Sequence, residues 1–318
     1  MTVAAGVRIG WADLPAHVRD AVEDLLGAPV VAAVSQPGGF SPGTADRVVT
    51  VSGARAFVKA VGRVQNPNSV DMHRREARIT AALPAAAPVP RLLGVFDDGD
   101  WVAIVLDDVE GRHPRTPWER TELDAVVGTL SRLADTLTPA PLSDVPAAAD
   151  SLAHDLAGWQ RLTREPSPDL DPWTAANLPV LRAAAERAAT ALRGDTLVHL
   201  DVRADNLLIR PDGSVVIVDW PWACTGPAWL DTALLSINVR LYGGGADADR
   251  LLADLADRTG AEPGDFVDVL AGIAGFFLDA ARLPAPPGLP TVRAFQLAQA
   301  RALLPWLGER LAPAASGT

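Results

Sequence analysis

Three side chains at fixed spacing open the chemistry. In Val198-His199-Leu200-Asp201-Val202-Arg203-Ala204-Asp205-Asn206-Leu207-Leu208-Ile209 an apolar run ends in His-x-Asp, and Asn206 follows Asp201 by five residues. A turn at Pro211-Asp212-Gly213 leads into a second apolar run that delivers Asp219 and Trp220. Moving a phosphoryl group onto a hydroxyl needs one carboxylate to orient the hydroxyl and take its proton. It also needs a carboxylate and a neutral oxygen to hold Mg²⁺ against the phosphates. Asp201 fits the base, with His199 beside it as the second catalytic candidate, and Asn206 and Asp219 fit the metal. Asp and Asn also mark ordinary turns between buried strands. Charges closing two apolar strands at this joint spacing favour chemistry.

The second constellation is Lys59 with Glu76. Of the 28 basic residues 27 are arginine, and Lys59 is the sole lysine. Alternation over residues 55–61 puts Phe57, Lys59 and Val61 on one strand face and Ala56, Val58 and Ala60 on the other. On the helix that follows, Glu76 shares a stripe with Met72, Ile79 and Leu83. A carboxylate on an apolar stripe needs a partner, because a lone buried charge costs several kcal/mol, about 3–5 when a pair is broken. Lys59 is that partner, and a strand lysine held by a helix glutamate is how kinases grip nucleotide phosphates.

The third is Gln36-Pro37-Gly38-Gly39-Phe40-Ser41-Pro42-Gly43, just ahead of the first strand pair. Glycines let backbone N–H groups approach phosphate, so Gly38, Gly39 and Ser41 join Lys59 and Glu76 as nucleotide-binding candidates. The segment also reads G-x-S-x-G, but a serine hydrolase needs a backbone N–H on the residue after the nucleophile. Pro42 has none, and a strand follows where a helix would have to. A Walker A loop is excluded as well, since Lys59 is flanked by Val58 and Ala60.

These residues need a scaffold that brings them together. Residues 48–52 and 55–61 read as a hairpin, 71–83 as a helix, and 92–96 with 101–106 as a second hairpin across Asp97-Asp98-Gly99-Asp100. Leu123, Val126, Val127, Leu130, Leu133 and Leu137 keep a helical period, as do Leu178, Leu181, Ala185, Ala188 and Leu192. A compact β insert over 197–219 carries the polar motif, and helices follow to about residue 311. The expected architecture is α+β: a small β-rich lobe joined to a larger, mainly helical one. A chain of 318 residues exceeds the size at which single cores usually split.

Composition narrows the partners. Thirty-nine acidic against 28 basic residues leave a net charge of −11, which argues against nucleic acid and leans mildly toward a cationic ligand. One cysteine, Cys224, forbids an internal disulfide or a cysteine zinc cluster. No apolar run reaches membrane-spanning length, and the N-terminus lacks a secretory pattern, so a cytoplasmic protein is expected.

Taken together, the Gly-rich loop, the strand lysine, the helix glutamate, His199-Leu200-Asp201 through Asn206, and Asp219-Trp220 resemble the aminoglycoside phosphotransferase and choline kinase-like family of small-molecule kinases, over roughly residues 30–311. The resemblance implies a protein-kinase-like two-lobe fold. An N-lobe would span 1–106, a hinge 107–111 and a helical C-lobe 112–318, with Asp107 and Val109 in the stretch that binds adenine through its backbone. It implies ATP and Mg²⁺ as cofactors and transfer of the γ-phosphate to a small-molecule hydroxyl, with an aminoglycoside-like or other antibiotic as the acceptor. A sugar or amino-alcohol kinase, or a nucleotide-binding protein without turnover, are the alternatives. Asp231 resembles the family's structural acid near the catalytic loop. Trp222, Asp231, Phe276 and Asp279 are the candidates for the acceptor site. Leu200 departs from the family, which usually has glycine there. No Ala-Pro-Glu and no long activation segment follow Asp219, which speaks against a protein kinase.

Overall fold

The computed structural model describes residues 8–36, 42–166 and 170–311. Helix α1 (Ala16–Leu26) precedes strands β1 (Val30–Ser35), β2 (Thr44–Thr50) and β3 (Arg55–Gly62). Helix α2 (Pro67–Ala82) leads to β4 (Leu92–Asp97) and β5 (Trp101–Asp107). The five strands form one antiparallel sheet in the order β1-β2-β3-β5-β4.

The alternation read from β3 decides what covers the sheet. Ala56, Val58 and Ala60 pack with Val18 and Val22 of α1 on one face. Val61, Ile104 and Leu106 pack with Val70 and Ala77 of α2 on the other. Lys59 therefore projects toward α2. That helix begins four residues earlier than its apolar period indicates. The Asn66 side chain accepts the Ser69 N–H at 3.0 Å and Pro67 occupies the first turn, a cap that needs no apolar residue.

The chain then becomes helical. Helix α3 (Arg120–Thr136) is followed by the short α4 (Ala148–Ser151), α5 (Ala153–Leu156), α6 (Gly158–Arg164) and α7 (Pro172–Ala176), then α8 (Leu178–Ala191). The β insert comprises β6 (Thr196–Val198), β7 (Leu207–Ile209), β8 (Val215–Ile217) and β9 (Cys224–Gly226). Strand β7 pairs with β8 and β6 with β9. The sequence reading has no counterpart for β9: a three-residue strand, Cys-Thr-Gly, is too short for any periodicity. Helices α9 (Leu230–Leu241), α10 (Gly245–Thr259), α11 (Pro263–Ala281) and α12 (Val292–Leu311) complete the fold.

Helix α11 is buried along most of its length and packs on α6, α8 and α12. Small residues permit this. A Cβ on Gly275 would lie 2.6 Å from the Trp159 ring, and one on Gly158 would lie 2.4 Å from the Gly275 backbone. The main core joins Ile79 of α2 to the helices and the β insert, so the sheet-side helix and the catalytic strands share one packed interior. No described helix is long and apolar enough to cross a membrane.

Candidate active site

Lys59 sits in mid-β3, 8% exposed, with its Nζ 2.6 Å from Glu76 Oε2 and 2.6 Å from Asp219 Oδ1. One ammonium thus bridges two carboxylates, the buried Glu76 from α2 and the part-exposed Asp219 from the end of the β insert. Burial opposes its charge, but Asp219 and Glu76 outweigh that and raise the lysine above its ordinary range. The same lysine helps hold Asp219 down at about 2 against burial. Burial pushes Glu76 up to about 7. Two carboxylates against one ammonium leave the cluster short of positive charge.

Asp201 follows the end of β6. Its Oδ1 accepts from Arg203 Nη1 at 2.8 Å and its Oδ2 from Asn206 Nδ2 at 3.1 Å. Asn206 Nδ2 also donates to the Asp201 carbonyl at 2.9 Å. The amide nitrogen makes both bonds, so the amide oxygen, the atom a hard cation takes, is not consumed by them. Burial raises Asp201 above the usual carboxylate range, and the Arg203 guanidinium works against this.

His199 is fully buried. Its Nε2 lies 2.9 Å from the Val218 carbonyl, and its Nδ1 accepts the Asp201 backbone N–H at 3.2 Å. The ring therefore ties the backbone of Asp201 to the residue before Asp219. It is not among the residues lining the cavity, and both ring nitrogens face backbone groups. Asp231 does not line it either. Its carboxylate accepts the N–H groups of His199 and Leu200 at 2.8 and 2.9 Å and holds the catalytic turn from beneath. That turn is strained: Leu200 and Asp219 have φ of +71° and +70°, the non-glycine residues in the left-handed region.

A cavity of about 660 Å³ connects this cluster to the helices. Lys59, Glu76, Asp201 and Asp219 line it, and so do Trp222 and Phe276. Asp279 does not line it; its carboxylate is buried against Arg161 and Arg282. Asp107 and Val109 also lie outside the lining, with the Asp107 carboxylate on Arg91 at 2.6 Å. Gly38, Gly39 and Ser41 fall outside the described residues. The described chain resumes at Pro42, and a Cβ on Gly43, at φ +102°, would lie 2.3 Å from the Ala60 carbonyl oxygen.

Sequence reasoning overlooked Arg203, Asp150, Asp155 and Asn238. Arg203 stands inside the quoted motif, and a cation two residues from Asp201 was the available signal. Asn238 accepts the Ala204 N–H at 3.3 Å from α9, and nothing local in the sequence announces it.

Among the described residues no three His, Cys, Asp or Glu side chains cluster as a metal site.

Comparison with known proteins agrees with this arrangement. The family model described as the Phosphotransferase enzyme family, APH, matches residues 38–266. None of the curated proteins matches the chain. Among solved structures, a thermostable mutant of aminoglycoside phosphotransferase APH(4)-Ia, in ternary complex with ADP and hygromycin B, is 15% identical with a TM-score of 0.61. It is matched over 95% of this chain and 99% of its own. The AMP-bound spectinomycin phosphotransferase APH(9)-Ia is 12% identical with a TM-score of 0.59, covering 91% of this chain and 94% of that one. An aminoglycoside phosphotransferase from Alicyclobacillus acidocaldarius is 18% identical with a TM-score of 0.51, covering 89% and 92%. At these identities the neighbours show the two-lobe kinase-like fold. With the family model spanning most of the sequence, the chain belongs to the APH phosphotransferase enzyme family and is a phosphotransferase of the small-molecule kinase kind.

Proposed function

We propose that the protein transfers the γ-phosphate of ATP to a hydroxyl of an antibiotic-like small molecule, in a Mg²⁺-dependent reaction in the cytoplasm. The observation that carries this is Lys59 bridged to Glu76 and Asp219 on the same cavity wall system as the Asp201–Asn206 pair. The neighbours solved with ADP and hygromycin B, and with AMP, support a nucleotide and a hydroxylated acceptor.

Asp201 orients the acceptor hydroxyl and takes its proton as the oxygen attacks the γ-phosphorus. The new O–P bond forms while the bond from that phosphorus to the β–γ bridging oxygen breaks, and ADP leaves with the electron pair. Arg203 keeps Asp201 in one orientation, and His199 and Asp231 hold its backbone. Asp219 and the Asn206 amide oxygen would hold the metal, which supplies neutralisation of phosphate charge. Lys59, kept in place by Glu76, binds the α and β phosphates. Gly38, Gly39 and Ser41 would cover the phosphates. Residues 107–111 would form the hinge, offering the backbone of Asp107 and Val109 to adenine.

An ADP-release assay with Mg-ATP and a panel of hydroxylated antibiotics, sugars and amino alcohols tests this reading. The expected result is an acceptor-dependent signal that Asp201→Ala abolishes while Mg-ATP still raises the melting temperature. Wild-type-like turnover in Asp201→Ala would sink the assignment.

A further inference from the structure

The far wall of the cavity differs in kind from its catalytic end. Leu234 and Ile237 of α9, Ile273 and Phe276 of α11, and Val292 and Phe295 of α12 line it. The cavity's acids outnumber its cations by two, Glu76, Asp150, Asp155, Asp201 and Asp219 against Lys59, Arg75 and Arg203. Glu76, Asp201 and Asp219 are already engaged by Lys59 and Arg203. Of the other lining carboxylates, Asp150 and Asp155 form no ion pair with a described residue. Arg75 also lines the cavity and donates to the Ala223 carbonyl, so its positive charge is not met there by an acid. Five lining carboxylates against three cations leave about two negative charges for a ligand, fewer than a polyamine carries. A molecule with several ammonium groups would bring the surplus out of water with no counter-charge, which is strongly unfavourable.

Leu200 points the same way. It lines the cavity from a left-handed backbone conformation of φ +71° that glycine adopts without strain. Its side chain packs partly on the main core and partly borders the cavity, so it adds a branched apolar surface beside the reacting end.

We infer that the acceptor is a large, mainly apolar hydroxylated molecule carrying no more than one or two basic amines. Its body packs on α9, α11 and Leu200, and its amines face Asp150 and Asp155. This rests on the phosphotransfer reading and narrows its acceptor away from polycationic aminoglycosides.

The test is equilibrium binding to the full chain saturated with Mg-AMP-PNP, using erythromycin as the single-amine apolar probe and kanamycin as the polycation. Erythromycin is expected to bind at least about tenfold more tightly, a difference of ~1.4 kcal/mol. Leu200→Gly should weaken erythromycin several-fold with little change in the melting temperature. Asp155→Asn should weaken it about tenfold, the usual scale of a charge-assisted hydrogen bond. Kanamycin binding as tightly or more tightly, no erythromycin binding, or unchanged erythromycin affinity in Leu200→Gly each overturns the inference. Failure to bind Mg-AMP-PNP strikes the phosphotransfer reading as well. Nucleotide binding with kanamycin preferred strikes this inference alone.

Discussion

The two ends of the cavity are built on opposite terms. At the catalytic end each carboxylate is tied: Glu76 and Asp219 to Lys59, Asp201 to Arg203 and Asn206. The backbone beneath is pinned by Asp231 and His199. At the acceptor end the wall is apolar, and Asp150 and Asp155 have no ionic partner among the described residues. Pre-organised charge suits a reaction whose phosphates and developing charges are the same for every acceptor. A wall of side chains from separate helices suits selection by shape, because each position can change without disturbing that network. In one cavity, rigidity is concentrated where the chemistry is constant and latitude where the substrate is specified.

The contrast breaks most visibly at the catalytic end. Asp201→Ala is expected to cut turnover by about 10³-fold, within the range of a lost general base, with nucleotide binding retained in a thermal-shift titration. Lys59→Met removes the cation that the buried Glu76 shares with the part-exposed Asp219 and is expected to cost about 3 kcal/mol in urea unfolding. Adding Glu76→Gln should recover part of that loss, and no recovery would show that the bridge is not what stabilises this cluster. Asp231→Ala orphans two buried N–H groups and should cost about 2–3 kcal/mol, lowering kcat more than it raises the KM for ATP.

At the acceptor end the expected sign reverses. Burial pushes Asp155 up to about 6 from an ordinary 3.8, only partly countered by His154 and Arg161. Between those values the folded protein holds a proton that the unfolded chain has released. Stability therefore falls as pH rises through this window and stays lower above it. Asp155→Asn should flatten that slope and raise the melting temperature at neutral pH. An unaltered slope would assign it to another group. Leu200→Gly relieves left-handed strain but gives up packing on the main core and loosens the unfolded chain; these offset, so its shift in the denaturation midpoint is expected to stay under about 1 kcal/mol, the smallest of these effects.

How much was legible follows the same division. The residue set Asp201, Asn206 and Asp219 could be read directly, because one short β insert carries all three and its turns are set by local sequence. The Lys59–Glu76 pair was legible from two periods, strand and helix, across 17 residues. The bond from Lys59 to Asp219, 160 residues apart, was not. Nor was the service of His199 to the backbone, and for Asp231 only the family resemblance suggested a structural acid: a carboxylate or imidazole looks the same in sequence whether it meets a substrate or an N–H group. Asp279 was misread for that reason, its burial against Arg161 and Arg282 being a long-range packing outcome.

The sequence by itself determined the chemistry and the class of fold. Phosphoryl transfer requires particular side chains at short spacings, and the alternation of β3 and the period of α2 dictate which faces they occupy. Tertiary structure alone decided the character of the acceptor wall and the strained turn at Leu200. Both arise where α2, α4, α5, α9, α11 and α12 converge on the catalytic loop. Such convergence depends on how helices pack around small residues such as Gly158 and Gly275, and no local pattern along the chain encodes it.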